Sequence, residues 1–313
     1  MKKRSRRLHK HRRHSRKRGG GTKRHRALMK ATCSPKLKEK ITGFSCYTYD
    51  DLRYLRNLWN KHHPTDLIDT NDVRDIHAAL MKKNAVKCGD KEACWLRQPF
   101  VKESVGQQIR KFAFAPEAPK EWEKNPNEWL SSTEIEDVMG QYEKAYKCFR
   151  FIGPSPIDFD KQLSSGGTVF PELSELSLSK LQNDGIKKVG IILNTDPHDK
   201  GGQHWISMFI NIPRGLVYFF DSVGAPAPTE VMRLVERIKT QGAGLSPPIA
   251  FKFDQNHPVE HQYGNTECGI YSLFFIVHML EDKITEHYLK THILRDKYME
   301  KFRKVYFNAR GRL

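Results

Sequence analysis

Residues 257–269 read HPVEHQYGNTECG and run directly into IYSLFFIVHML at residues 270–280, which makes this junction the most informative part of the chain. The first stretch is polar and turn-forming, whereas the second is an apolar run typical of a buried helix. Cys268 lies where the two meet, so we expect it at a helix N-terminus, where the macrodipole favours the reactive thiolate. The alternative is a small, inert cysteine that begins a core helix.

Three further side chains could assist such a thiol in catalysis. Gln262 lies six residues upstream, where its amide could donate to a developing oxyanion. The segments 204–212 and 216–220 are apolar, and Pro213-Arg214-Gly215 between them predicts an antiparallel hairpin. We expect this hairpin to bring His204, at the start of one strand, directly opposite Asp221, at the end of the other. Asp221 could then orient the imidazole toward the thiol. The alternative is an ordinary histidine with its hydrogen bonds satisfied in the fold.

The order of these strings carries a resemblance to a known family. They are Asn194-Thr195-Asp196, Gln203-His204-Trp205, Phe220-Asp221-Ser222-Val223-Gly224, His261-Gln262 and Thr266-Glu267-Cys268-Gly269. Together they resemble the SUMO-protease and adenovirus-protease group of cysteine proteases. Within that group the chain is most similar to the polyprotein-processing type of African swine fever virus and related large DNA viruses. The match covers most of residues 80–313.

The resemblance implies a role for each residue. His204 would be the general base, Asp221 its orienter, Cys268 the nucleophile and Gln262 the oxyanion donor. One departure is that the swine fever virus type carries Asn at the third of these positions, where this chain has Asp221. Either side chain accepts a hydrogen bond from imidazole, so we expect the difference to affect tuning only.

The family resemblance also implies a substrate slot roofed by tryptophans, which here would be Trp129 and Trp205. Two indole faces leave room for backbone without side chains, which would select Gly-Gly sequences by excluding Cβ. The alternative for each tryptophan is ordinary core packing. Ser131 and Glu134 form a capping-box pattern, which places Trp129 just before a predicted helix.

The alternation of apolar segments predicts an α+β fold, a mixed central β-sheet flanked by helices, and the resemblance makes it papain-like, of the SUMO/adenovirus protease type. We expect a disordered basic tail at 1–40, a helical accessory arm at 41–117 and a catalytic domain at 118–313. Within the arm, Asn71 is the candidate cap of a helix that reaches Met81. Near the other end of the chain, residues 249–253 read as a further strand.

The net charge of +18 is concentrated in the tail. Residues 1–40 contain 18 Lys or Arg and one acidic residue, whereas residues 41–313 contain 36 basic and 35 acidic residues. Such a tail cannot bury enough apolar surface to fold, and it would bind polyanions without sequence preference. We favour nucleic-acid tethering over nuclear import, an acidic protein partner or a simple solubilising arm. Gly19-Gly20-Gly21 in the tail is a candidate site of self-cleavage.

Other features limit the class of protein. The six cysteines are even in number, but a reactive thiol and the absence of a recognisable secretion signal favour a reducing compartment and therefore free thiols. No C-x-x-C pair is present, so we expect no metal site, and the spacing of His257 and His261 favours shaping of the Gln262 loop over metal binding. No segment has the apolar length of a membrane span.

These observations leave three functional hypotheses. The first is a cysteine endopeptidase that cleaves viral structural polyproteins after Gly-Gly sites during virion maturation. It would act without a cofactor, as a monomer, in the virion or the cytoplasmic virus factory, with the host nucleus as an alternative location and DNA as a candidate activator. The second is a SUMO or ubiquitin-like deconjugase. The third is a nucleic-acid-binding virion protein with an inactive protease-like core.

Overall fold

The computed structural model describes residues 33–36 and 42–309. Most of the basic tail, including the candidate self-cleavage site at Gly19–Gly21, lies outside the described residues. In the part of the chain that is described, no helix has both the length and the hydropathy that crossing a bilayer requires.

The described arm is helical and has its own hydrophobic core. Its α-helices are α1 (Tyr49–His62), α2 (Val73–Cys88) and α3 (Glu103–Ala113). One cluster of apolar side chains between residues 46 and 114 packs around the fully buried Trp95 and Tyr47. The cap of α2 corrects the sequence prediction, because Asp72 accepts from the N–H groups of Arg74 and Asp75, whereas Asn71 binds Arg56. The division into tail, arm and catalytic domain remains a prediction.

The remainder is built on a mixed five-stranded sheet, as predicted. The strands are β1 (Phe149–Pro156), β2 (Lys188–Asn194), β3 (Trp205–Asn211), β4 (Leu216–Phe220) and β5 (Lys252–Gln255), in the order β1-β2-β3-β4-β5. The two outer pairs are parallel and the two inner pairs are antiparallel. Helices α4 (Ser132–Ala145), α5 (Pro171–Ser174), α6 (Leu178–Asn183), α7 (Thr229–Ala243), α8 (Cys268–Leu280), α9 (Glu286–Thr291) and α10 (Asp296–Tyr306) complete this part.

Both faces of the sheet are covered, which explains the unbroken apolar runs of its central strands. On β4, Tyr218 and Phe220 face the cluster that contains α8, whereas Val217 and Phe219 face the cluster that contains α7. Helix α8 lies close against the sheet at Gly190 on β2, where a Cβ would come within 2.6 Å of the Ile276 side chain. The absence of a side chain at Gly190 therefore fixes how deeply α8 sits.

The last strand begins later than predicted. The sequence suggested residues 249–253, but β5 spans Lys252–Gln255. The N–H of Ile249 donates to the carbonyl of Gly242 at the end of α7, and Phe251 packs in the cluster beneath the sheet. These contacts hold residues 249–251 against the helix, so sheet pairing starts only at Lys252.

The expectation of free thiols is wrong for four of the six cysteines. Disulfides join Cys33 to Cys46 and Cys88 to Cys94, while Cys148 and Cys268 are free. Cys88–Cys94 lies within the arm, whereas Cys33–Cys46 joins the end of the predicted tail to the arm, and the predicted catalytic domain contains only the two free thiols. The sequence argument failed because it assigned one redox state to all six cysteines on the strength of a single reactive thiol.

Alkylation before and after reduction should show whether both disulfides are present. If the protein is denatured in iodoacetamide before any reduction, we expect two modified cysteines, and six after reduction, counted by mass spectrometry of the intact chain. A Cys33→Ser/Cys46→Ser variant should still show two modified cysteines before reduction, but only four after it. Six modified cysteines in the unreduced wild type would contradict the pairing.

Candidate active site

His204 and Asp221 come together at the end of the β3–β4 hairpin. His204 Nε2 lies 2.8 Å from Asp221 Oδ1, which also accepts from the N–H of Val223 at 2.9 Å. The two residues are not directly opposite, which corrects the sequence prediction. The ladder ends at Ser207↔Phe220, and extending it would place Asp221 opposite Ile206. The contact with His204 is therefore a diagonal one, between residues on the same face.

His204 also interacts with Cys268, and its protonation reflects both partners. Burial lowers the pKa of His204, but hydrogen bonds to Asp221 and Cys268, together with their charges, outweigh it and raise the pKa to about 9. Because Nε2 faces Asp221, Nδ1 is the ring nitrogen left for the sulfur. The site therefore favours an imidazolium held between a carboxylate and a thiol.

Cys268 is the first residue of α8 and is 2% exposed. Cys268 thus lies at a helix N-terminus, as predicted, where the first-turn N–H groups have no partner within the helix. Gly269 allows the close packing at this point, because a Cβ there would lie 3.1 Å from Leu130 and 3.3 Å from the Trp205 ring. The start of α8 therefore packs against Trp205 and against Leu130, the residue that follows Trp129.

Gln262 is buried beside this group, with its amide held in one orientation. Ser222 donates to Gln262 Oε1 at 2.7 Å, and Gln262 Nε2 donates to the carbonyl of Gly264 at 2.9 Å. One amide hydrogen is used within the loop, and the predicted role as oxyanion donor would use the other. The backbone of Ser222 also accepts from the N–H groups of His261 and Gln262, which ties this loop to the residue after Asp221.

Sequence reasoning missed two positioning residues. Ser222 fixes the Gln262 amide, and its place in the Asp-Ser string was a signal that went unused. Asn256 is fully buried, accepts from the N–H of Asp221 at 2.9 Å and donates to its carbonyl at 2.7 Å. Nothing in the local sequence pattern distinguishes Asn256 from an ordinary loop residue, so only the structure could identify it.

A glycine holds the two loops of the site together. Gly224 has a φ of +72°, and a Cβ there would lie 2.8 Å from the carbonyl carbon of Val259 and 2.9 Å from the nitrogen of Glu260. Only glycine adopts this conformation without strain and also allows such a close approach. The Asp221 loop can therefore lie directly on the backbone that leads to Gln262.

Trp129 and Trp205 line one groove of about 450 Å³ next to His204. Trp205 is nearly buried and its Nε1 donates to the carbonyl of Leu130 at 2.9 Å, so it forms part of the wall. Trp129 is 39% exposed and precedes α4, which carries the predicted capping box of Ser131 and Glu134. The structure places both predicted tryptophans at the groove, and their contact with substrate remains a prediction.

His257 and His261 make separate contacts. His257 Nδ1 lies 2.7 Å from the carbonyl of Gly224, and His261 Nδ1 accepts from the N–H of Leu294 at 3.1 Å. Burial lowers the pKa of His261 to about 4, which keeps the ring neutral. Both histidines thus shape the loops around Gln262. Among the described residues, no group of three or more His, Cys, Asp or Glu side chains is arranged to hold a metal ion.

Replacing Asp221 by asparagine should lower the pKa of His204 from about 9. The variant keeps a hydrogen-bond acceptor but loses the negative charge, while the burial that lowers the pKa remains. A His pKa raised by folding stabilises the protein fully below the unfolded value of about 6.5 and loses this effect as the pH rises through about 9. The variant should therefore lose pH-dependent stability between these values.

NMR titration of the His204 ring measures this shift directly, and unfolding at pH 6.5 and 9 measures its effect on stability. Asp199→Asn is the matched control, because Asp199 is exposed in the loop before His204. An unchanged His204 pKa in Asp221→Asn would show that Asp221 does not control the protonation of the ring.

Comparisons with known proteins show similarity to viral and cellular cysteine proteases. Residues 178–311 match the model of the Ulp1 protease family, C-terminal catalytic domain. A protein of Acanthamoeba polyphaga mimivirus, named as a candidate thiol protease, is 28% identical over 88% of this chain and 92% of its own length. An African swine fever virus protein named SUMO-1 cysteine protease is 28% identical over 75% of this chain and 88% of its own.

A solved structure shares the fold. The crystal structure of an African swine fever virus protease superposes with a TM-score of 0.62 at 21% sequence identity, covering 90% of this chain and 96% of the other. The predicted α+β fold and the predicted family resemblance are both confirmed.

Proposed function

Because residues 178–311 match the catalytic-domain model of the Ulp1 protease family, we propose that this protein is a cysteine endopeptidase that cleaves viral structural polyproteins after Gly-Gly sites during virion maturation. The observation that carries the proposal is the hydrogen bond of 2.8 Å between His204 and Asp221 beside Cys268 at a helix N-terminus. Thiol-dependent acyl transfer requires a reactive thiol, a base that contacts it and a group that orients the base.

The reaction follows from these positions. The Cys268 thiolate attacks the scissile carbonyl carbon, a C–S bond forms, and the carbonyl electrons move to oxygen, where the Gln262 amide donates to them. His204 gives its proton to the leaving nitrogen as the C–N bond breaks, which leaves a thioester. His204 then takes a proton from water, whose oxygen attacks the thioester. The C–S bond breaks, which releases the acid product and restores the Cys268 thiolate beside protonated His204.

The groove supports selection of glycine. Trp129 and Trp205 line it together with Gly202 and Gln203, which come directly before His204. Aromatic faces on a narrow path admit backbone and exclude larger side chains, so residues without Cβ gain in relative affinity. We therefore assign Trp129 and Trp205 to substrate binding.

Two alternatives to this proposal remain, and a specific observation favours one of them, the deconjugase. An African swine fever virus relative is named SUMO-1 cysteine protease, so a deconjugase that acts on a folded modifier is the second candidate function. The other alternative, an inactive nucleic-acid-binding protein, is disfavoured because His204, Asp221 and Cys268 lie together. Tethering to nucleic acid through the basic tail, a location in the virion or virus factory, and activity as a monomer without a cofactor are further parts of our proposal.

A digest of a peptide library tests the function. We expect cleavage after Gly-Gly by the wild-type chain, with and without added DNA, and none by Cys268→Ala. Fusions of folded SUMO or ubiquitin should be cleaved much more slowly than short Gly-Gly-X peptides. Comparable rates on the fusions would favour the deconjugase, and no cleavage of any substrate would favour the inactive core.

A further inference from the structure

Arg303 on α10 is a buried cation that contacts both the segment before Cys268 and the segment before Trp129. It is 5% exposed, and its partner Glu267, the residue before Cys268, is 3% exposed. Arg303 Nε donates to Glu267 Oε1 at 3.0 Å and Oε2 at 2.9 Å, and Nη2 donates to Oε1 at 2.8 Å. Nη2 also donates to the carbonyl of Thr266 at 3.1 Å. The guanidinium thus binds both residues that lead into the nucleophile.

The same guanidinium binds the chain just before Trp129. Nη1 donates to the carbonyl of Glu128 at 2.8 Å, and Nη2 lies 3.3 Å from the carbonyl of Asn127. Trp122 lies under the guanidinium, 4.4 Å from it, and its Nε1 donates to the same Glu128 carbonyl at 3.1 Å. The backbone before Trp129 is therefore fixed, while the indole of Trp129 remains free to face the groove.

We propose that Arg303 is a positioning residue that sets the distance between the substrate tryptophan Trp129 and the nucleophile Cys268. A buried charge is costly unless it is paired and hydrogen-bonded, and Arg303 meets this condition only by binding both segments at once. A planar guanidinium serves this purpose because its donors are fixed in one plane, which a lysine ammonium does not reproduce. The inference rests on the proposed protease function, since it assigns Trp129 to substrate and Cys268 to chemistry.

The two sides of Arg303 can be altered separately. Glu267→Gln weakens only the contact toward the nucleophile, so we expect kcat to fall by about tenfold with KM nearly unchanged. Trp122→Phe keeps an aromatic ring under the guanidinium but removes the Nε1 donor to Glu128. It should raise KM by about threefold with kcat nearly unchanged.

Arg303→Lys retains the charge but loses the bidentate and backbone contacts, so both constants should worsen, by about tenfold each. Lys304→Met is the matched control, because Lys304 is the exposed neighbour on the same helix, and it should change neither constant. In a Trp129→Ala background, the effect of Arg303→Lys on KM should largely disappear, whereas its effect on kcat should remain. A role in stability alone would not produce this split.

Thermal melting of each variant and the alkylation rate of Cys268 by iodoacetamide complete the test. Alkylation needs no proteolysis, so it separates this inference from the proposed function. If the wild type cleaves nothing, Arg303→Lys and Glu267→Gln should still change the alkylation rate, while Trp122→Phe and Lys304→Met should not. The inference is overturned if folded Arg303→Lys keeps kcat, KM and the alkylation rate within twofold of wild type, or if Glu267→Gln and Trp122→Phe affect the same constant.

Discussion

Cys268→Ala is expected to lower kcat/KM on a Gly-Gly-X peptide by about 10³-fold or more. Without the sulfur there is no covalent step, and only the oxyanion donor and substrate binding are left to act on the reaction. The fold should survive, because alanine is smaller than cysteine and the first turn of α8 keeps the hydrogen bond from the N–H of Tyr271 to the carbonyl of Glu267. Progress curves at substrate concentrations below KM measure the loss directly.

Two controls make this result specific. Cys148 is the other free thiol, so Cys148→Ala should leave kcat/KM near the wild-type value. Tryptophan fluorescence on titration with a Gly-Gly peptide should show that Cys268→Ala still binds substrate, and Trp129→Phe in the same background should reduce the signal if Trp129 reports binding. Retention of more than a tenth of the activity in Cys268→Ala would mean that another group carries the reaction.

Gln262→Ala is expected to lower kcat by about 10²- to 10³-fold, with a much smaller change in KM. A donor aimed at the oxyanion acts mainly in the transition state, so its removal affects the chemical step more than binding. The effect should be large because Ser222 and Gly264 hold the amide in one orientation, and the group therefore needs no reorganisation during reaction.

Gln262→Glu separates donation from packing, because it keeps the shape of the side chain and removes the amide hydrogens. It should lose about as much kcat as Gln262→Ala. Ser222→Ala should lose less, because the amide remains but is no longer fixed. If Gln262→Ala raised KM and left kcat unchanged, Gln262 would be a binding residue and the oxyanion donor would have to be sought elsewhere.

Cys268, His204 and Asp221 were accessible from sequence because each follows from a local pattern, whereas Trp129 and Trp205 came from the family resemblance. Cys268 marks a change from polar loop to apolar helix, and His204 and Asp221 flank a hairpin whose short turn fixes their proximity. The register was less accessible, since a shift of two residues changes a directly opposite pair into a diagonal one without altering the apolar pattern. Period-two patterns specify the face of a strand, not the position along it.

Residues that act at long sequence separation could not be predicted. Arg303 lies 36 residues from Glu267 and 175 from Glu128. Its spacing from Met299 and Tyr306 places it on the buried face of α10, but this pattern does not indicate its partners. Asn256 could not be predicted either, because its role depends on hydrogen bonds to the backbone of Asp221. The disulfides were missed for a different reason, since Cys33–Cys46 and Cys88–Cys94 span only 13 and 6 residues, and the error lay in assigning one redox state to all six cysteines.

The two disulfides determine whether reductant should be present when the enzyme is handled. Dithiothreitol, which is commonly added to keep a cysteine protease active, would also open Cys33–Cys46, the crosslink that ties the first described residues to the arm. Preparations stored with and without reductant would then differ in how the N-terminal region is anchored, even where the thiol at position 268 is equally intact. Activities from different laboratories become comparable only when the thiol content of each sample is stated with them.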